Sequence, residues 1–137
     1  MTPIHTSHAE KDARLRALVL FAHGSRDPLW HLPIQAVAQA IAAQSPGTRV
    51  ACAYLELSQP DLPQVTATLA AEGIAHITVV PMFLGVGRHA REDLPQLLAQ
   101  LRSAYPDLIL QLMPAVGEDP DVVQMLASVA LKGLSKI

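Results

Sequence analysis

Four short, almost continuously apolar runs divide the chain. They occupy residues 17–22, 48–55, 75–83 and 108–113. Runs that lack a polar side are typical of strands in a parallel sheet whose two faces are both covered. The pattern therefore predicts four parallel β-strands.

Between and after these runs, apolar residues recur at the spacing of an α-helix. One stripe of i, i+3, i+4 and i+7 positions lies between the first two runs, a narrower stripe follows the second run, and a further stripe follows the third. Residues 119–134 form the predicted last helix, with Pro120 suited to its first turn. The stripes consist of Ile34, Val37, Ala38 and Ile41, of Leu62, Val65 and Leu69, and of Leu94, Leu97, Leu98 and Leu101.

The order of elements is a strand followed by a helix, repeated four times. Right-handed crossovers turn this order into an α/β fold, a three-layer open parallel four-stranded sheet with helices on both faces, of the flavodoxin-like kind. We expect a single domain over residues 15–137, preceded by a flexible polar tail at residues 1–14.

Polar and glycine residues cluster directly after the predicted strands. The carboxyl ends of parallel strands meet at one edge of a sheet, where ligands bind in open α/β folds. The sequence therefore predicts a site on this edge, which we call the carboxyl rim. Its candidate residues are His23, Gly24, Ser25 and Arg26 after the first strand, Glu56 after the second, Gly85, Gly87, Arg88, His89 and Arg91 after the third, and the segment PAVGEDP (114–120) after the fourth.

Two of the rim residues are histidines, His23 and His89. Together with the carboxylate of Glu56, their imidazoles suit a divalent first-row metal that is held with open coordination positions. The alternative is that each histidine is simply hydrogen-bonded within the structure. We expect that structural role for His31 in the first turns of helix one and for His76 at the opposite edge of the sheet. His5 and His8 are expected to belong to a frayed terminus, with weak metal binding as the alternative.

Three arginines also belong to the rim loops, although the protein carries a net charge of −2. Guanidinium groups gathered at one site of an acidic protein indicate an anionic ligand such as a carboxylate or a phosphate. The alternative is that they pair with neighbouring acids on the surface. The arginines are Arg26, Arg88 and Arg91, and the neighbouring acids are Asp27, Glu92 and Asp93.

The segment GVGRHA (85–90) matches a nominal dinucleotide fingerprint, but its context differs. It lies in the third strand–helix unit, and no acidic residue ends the following strand. We interpret Gly85 and Gly87 as space for a large flat ligand. Ser25 lacks the G-x-S-x-G context of a hydrolase nucleophile, so we expect it to contact a ligand instead.

Composition narrows the class of protein further. Half of the residues are hydrophobic, and the slightly acidic charge disfavours nucleic acid as a partner. The lone Cys52 excludes a disulfide framework, and no segment approaches the ~18 apolar residues of a membrane span. The polar N-terminal residues contain no secretion signal, so the cytoplasm is the expected location.

Four segments, AHGSR, AYLELSQPDLP, VVPMFLGVGRHAREDLP and PAVGEDP, together resemble the small class II chelatases of the CbiX/SirB type. The resemblance extends from about residue 17 to the end of the last helix. It implies a chelatase-like fold, with the two metal-site histidines at His23 and His89 and their acidic partner at Glu56.

The resemblance also implies an activity: ATP-independent insertion of Co²⁺ or Fe²⁺, with Ni²⁺ also acceptable to such ligands, into sirohydrochlorin for cobalamin or sirohaem biosynthesis. It implies a homodimer and no cofactor beyond the substrate metal, and larger family members carry two such halves in one chain. Two other functions stay open: a non-catalytic tetrapyrrole- or metal-binding protein, and a flavodoxin-like nucleotide-binding module.

Overall fold

The computed structural model describes residues 15–136, apart from the side chains of His89 and Lys136. Within that range, four parallel strands form one sheet in the order β2-β1-β3-β4. The strands are β1 (Arg16–Ala22), β2 (Arg49–Tyr54), β3 (His76–Pro81) and β4 (Ile109–Leu112). The helices are α1 (Leu32–Gln44), α2 (Leu62–Ala71), α3 (Arg88–Ala104) and α4 (Pro120–Leu131).

The predicted α/β fold is confirmed, and each strand lies within its apolar run to within a residue. Pro120 occupies the first turn of α4, as predicted, and the Asp119 side chain caps that turn. The last helix is shorter than the predicted 119–134. The α-helix ends at Leu131, and a 3₁₀ turn (Lys132–Lys136) follows. Gly133 explains this end, because glycine disfavours a helix interior.

The main core lies between one face of the sheet and the helices α2 and α3. Alternate residues of the central strands, such as Val19 and Val79, are fully buried against Leu69 of α2 and Leu98 of α3. Two of the predicted helical stripes therefore face the sheet. Their burial fixes the strand ends from which the rim loops begin.

The other face of the sheet carries α1, which packs on β1 and β2. The alternate β1 residues Leu20 and Ala22 are buried, whereas the α1 stripe is only partly buried. Helix α4 packs mainly against the 3₁₀ turns on either side of it, Val116–Glu118 and Lys132–Lys136. Most of its apolar side chains remain exposed, with 65% of Met125 and 63% of Leu131 accessible.

Cys52 is a free, half-buried cysteine in β2. Burial raises the pKa of its thiol, an effect only partly opposed by a hydrogen bond with the Tyr54 hydroxyl. The thiolate is therefore scarce at neutral pH, which makes this cysteine a poor nucleophile. Within residues 15–136, none of the helices has the length and apolar character that crossing a membrane requires.

Candidate functional site

The carboxyl rim has its crevice between β1 and β3, where the strand order changes direction. The chain moves from β1 to β2 on one side and then crosses to β3 on the other. Ligands in open α/β sheets bind outside such a switch point. His23 directly follows β1 at this crevice, and Phe83 closely follows β3.

The His23 ring is held by an aromatic neighbour. Its centroid lies 4.4 Å from that of the Phe83 ring, with the planes inclined at 40°. Phe83 is almost fully buried and contacts Phe21 edge to face at 6.0 Å. His23 itself is exposed. A rigid core contact therefore orients an imidazole that remains accessible to a ligand.

Glu56 lies beside His23 because parallel pairing continues past the ends of β1 and β2. The Leu55 amide donates to the Ala22 carbonyl at 2.8 Å, and the Glu56 amide donates to the His23 carbonyl at 2.9 Å. The Glu56 side chain is exposed. The two chain segments thus carry an imidazole and a carboxylate at adjacent positions of the rim.

Gly24 has a conformation that only glycine tolerates at this point. Its φ is +101°, and a Cβ atom there would lie 1.9 Å from the Glu56 carbonyl oxygen. The sequence named Gly24 only as a candidate rim residue, whereas the structure gives a steric reason for glycine at this position. The first rim loop must pass against the backbone of the second.

Gly85 and Gly87 belong to the loop between β3 and α3. A Cβ atom at either position would meet no atom within 4 Å, so packing inside the protein does not require glycine there. Gly87 caps α3, and Arg88 and His89 form its first turn. The backbone of His89 therefore lies at the rim, while its side chain is outside what the structure describes.

The three rim arginines differ in their surroundings. Arg88 pairs with Glu92 at 3.1 Å, with 82% and 58% of the two side chains exposed. Such an exposed pair contributes little to stability and exchanges readily. Arg91 lines a cavity of about 200 Å³ beside Phe83 and Glu118. Arg26 is exposed, and no described carboxylate lies within ion-pair distance of its guanidinium.

Hydrogen bonds fasten the first rim loop to the second, and sequence reasoning missed them. The Ser58 hydroxyl donates to the Ser25 carbonyl at 2.6 Å and accepts from the Ser25 amide at 2.9 Å. The His31 ring donates from Nε2 to the same carbonyl at 3.0 Å. The Ser25 hydroxyl accepts from the Asp27 amide. His31 thus has the structural role expected of it, but Ser58 carried no signal in the sequence.

Gly117 is a second position that the sequence did not single out. Its amide donates to the Phe83 carbonyl at 2.9 Å, and a Cβ atom there would lie 1.9 Å from the Leu84 carbonyl oxygen. The loop after β4 is therefore fastened to the loop after β3. In the sequence, the only sign of this role was that Gly117 belongs to the segment 114–120, which was already predicted to lie on the rim.

The other histidines, which the sequence did not assign to the metal site, are divided between described and undescribed residues. His76 lies at the opposite edge of the sheet, with Nε2 3.3 Å from the Gln111 amide oxygen, and His5 and His8 lie outside the described residues. Among the side chains that the structure describes, no three histidine, cysteine or acidic residues are grouped closely enough to hold a metal ion. The described site thus offers His23 and Glu56.

The CbiX family model matches residues 17–131 of the chain. The chain belongs to the CbiX family. The match runs from β1 to the end of α4, so it includes every rim loop described above.

Relatives of this CbiX protein include named chelatases. A sirohydrochlorin cobaltochelatase from Methanococcus aeolicus is 37% identical over 84 residues, which are 61% of this chain and 59% of the relative. A sirohydrochlorin ferrochelatase from Bacillus subtilis is 27% identical over 109 residues, which are 80% of this chain and 42% of the relative. The chain therefore spans about half the length of these curated relatives.

Solved structures share the fold. A protein described as a cobalamin (vitamin B12) biosynthesis CbiX protein, from Marinobacter aquaeolei VT8, superimposes with a TM-score of 0.79 at 28% identity, covering 89% of this chain and 99% of that one. The sirohydrochlorin chelatase SirB from Bacillus subtilis subspecies spizizenii, in complex with cobalt, has a TM-score of 0.68 at 28% identity, covering 80% and 47%.

Proposed function

We propose that this CbiX protein inserts a divalent metal ion, Co²⁺ or Fe²⁺, into sirohydrochlorin without ATP. The product would enter cobalamin or sirohaem biosynthesis. The observation that carries the proposal is an exposed imidazole, His23, fixed on Phe83 at the switch-point crevice and adjacent to Glu56. The family's named chelatases support the choice of reaction and substrate.

The metal ion is a substrate, and three residues handle it in this proposal: His23, His89 and Glu56. Neutral imidazole and carboxylate groups bind Co²⁺, Fe²⁺ or Ni²⁺ and leave coordination positions open for the ring nitrogens. Few ligands also mean that the ion is released easily to the macrocycle. No further cofactor takes part.

Proton balance gives the same residues a second task. A divalent ion replaces two N–H protons of the macrocycle, so the site must accept protons as the metal leaves it. A neutral imidazole nitrogen and a carboxylate can each accept a proton within hydrogen-bond reach. His23, His89 and Glu56 are therefore the proton acceptors, and water at the open rim carries the protons away.

The macrocycle carries carboxylates around its periphery, and the rim supplies their partners. Arg26 and Arg91 are available to bind them, and Arg88 can exchange Glu92 for a substrate carboxylate because their pair is exposed. Gly85 and Gly87 let the flat ring approach the backbone, since no packing fills the space above them. Gly24 and Ser25 shape the loop beneath the ring.

The function is tested by incubating the purified protein with sirohydrochlorin and Co²⁺, Fe²⁺ or Ni²⁺ while following the absorption spectrum. We expect insertion of at least one metal to be faster than in the protein-free control. Sirohydrochlorin binding without faster insertion would indicate the non-catalytic binding protein. Neither binding nor insertion would refute the proposal, and stabilisation by NAD or FAD would favour the nucleotide-binding alternative.

The proposal includes a homodimer that uses α4. This helix exposes an apolar surface that a monomer would leave in water, and symmetric pairing of such a surface is the common way to bury it. We expect light scattering to show a dimer at micromolar concentration, and Met125→Glu to yield a folded monomer. Gln124→Glu adds the same charge to the same helix outside the apolar positions and should leave the dimer intact. A monomeric wild-type protein with full activity would contradict this prediction.

The proposal also includes a location in the cytoplasm, compatible with the free thiol of Cys52. No nucleic acid partner is part of it, since the net charge is −2. No membrane partner is part of it either, since no segment of the sequence approaches the ~18 apolar residues of a membrane span. Residues 15–137 are proposed to act as one domain, with residues 1–14 as a tail.

A further inference from the structure

An open pocket of about 460 Å³ lies on the rim beside the first two loops. Its walls come from the turn after β1, from the first turn of α1, and from the loop between β2 and α2. We call it the Gln35 pocket. Its polar walls include Arg26, His31, Gln35, Ser58 and Gln59.

Hydrogen bonds fix the floor of the Gln35 pocket. Ser58 Oγ lies 3.1 Å from His31 Nε2, and both groups contact the Ser25 carbonyl oxygen. Because that oxygen can only accept, His31 must carry its proton on Nε2. The imidazole also packs against the Tyr54 ring, with centroids 4.6 Å apart. The pocket wall is thus built in advance of any ligand.

The charge of the Gln35 pocket favours an anion. Among its described lining residues none is acidic, and the guanidinium of Arg26 is exposed there. The neighbouring Asp27 is already engaged, since its Oδ1 accepts the Leu29 amide and caps the 3₁₀ turn. The side-chain amides of Gln35 and Gln59 add donors that suit a planar carboxylate beside a guanidinium.

We propose that the Gln35 pocket binds one peripheral carboxylate of the tetrapyrrole and so fixes the position of the macrocycle over the metal-handling residues. This inference rests on the proposed function and extends the substrate site to α1. The pocket residues lie close in sequence to the proposed metal-handling residues, which supports the inference. Ser25 and Arg26 follow His23 closely, and Ser58 and Gln59 follow Glu56 closely. A carboxylate arm held here therefore positions the attached ring beside His23 and Glu56.

Opposite charges at Gln35 provide the first test. Gln35→Glu places a carboxylate in the pocket and should raise the Kd for metal-free sirohydrochlorin about tenfold. The new carboxylate would repel the carboxylate of the substrate and compete for its charge-assisted hydrogen bond with Arg26. Gln35→Lys should bind as tightly as the wild type or more tightly. Gln100→Glu makes the same change at an exposed position of α3, away from the pocket, and should leave the Kd unchanged. Equal Kd values for Gln35→Glu and Gln100→Glu would overturn the inference.

A second experiment does not depend on sirohydrochlorin. In an NMR titration of the full chain with succinate, the side-chain signals of Arg26, Gln35 and Gln59 should shift saturably, while the side-chain amide of Gln100 stays in place. No shift, or shifts with inorganic phosphate but not with succinate, would overturn the carboxylate assignment. If the wild type bound no sirohydrochlorin, the proposed function would fail, and this titration would still decide whether the pocket binds carboxylates.

Discussion

Replacing His23 by alanine should abolish accelerated metal insertion while leaving the affinity for metal-free sirohydrochlorin within a few-fold. The imidazole lies on the rim as an exposed ligand, and its removal leaves the buried Phe83 and the strand pairing in place. His89→Ala should behave in the same way. The double variant should be little worse than either single variant, because residues that act as one unit are not additive. Insertion rates and spectroscopic binding titrations measure the two properties separately.

Arg88→Ala provides the contrasting control for these histidine variants. It should mainly weaken tetrapyrrole binding, by ~1–3 kcal/mol for a lost charge-assisted hydrogen bond, and reduce the salt dependence of binding. A histidine variant that inserts metal normally but no longer binds the macrocycle would contradict the assignment. Circular dichroism identifies any variant in which the loop has simply collapsed.

Gly24→Ala should destabilise the protein and impair insertion together. Backbone strain at a positive φ costs about 1–3 kcal/mol for a residue with a side chain. In addition, the new Cβ would collide with the Glu56 carbonyl oxygen, 1.9 Å away, and separate the two rim loops. Urea unfolding should report the loss of stability, and the insertion assay should report the displaced Glu56.

Gly73→Ala is the matched control for Gly24→Ala. Gly73 also has a positive φ, +87°, but a Cβ atom there would meet nothing within 4 Å. It lies in the turn before β3, at the edge of the sheet opposite the rim. Gly73→Ala should therefore cost only the backbone strain and leave the insertion rate of the folded protein unchanged. Equal losses of stability in the two variants would show that the contact with Glu56 is unimportant.

Much of the fold could be predicted from the sequence because burial acts on local patterns. The apolar runs mark strands covered on both faces, and the leucine stripe of α3 marks the side that meets them. The rim could be located because parallel strands end at the same edge. The residues that follow those strands, such as His23 and Glu56, were therefore expected to be neighbours.

Other features depend on close approaches between distant segments, which no local pattern records. The need for glycine at Gly24 arises from the carbonyl of Glu56, and that at Gly117 arises from the carbonyl of Leu84. Ser58 is an ordinary serine until the fold brings it to Ser25. Apolar spacing likewise predicts the helix α4, but not that its apolar residues remain exposed on a single chain.

The central position of β1 also determines when the site can form during synthesis. Both neighbours of β1 come later in the chain, so this apolar strand leaves the ribosome with two unpaired edges. Unpaired edges invite association with other chains, and pairings between distant segments form slowly. Residues 16–21 pair with residues 76–81, and only then does the crevice beside His23 have both of its walls. A nascent chain that stalls before β3 would therefore be prone to aggregate and would lack one wall of the crevice.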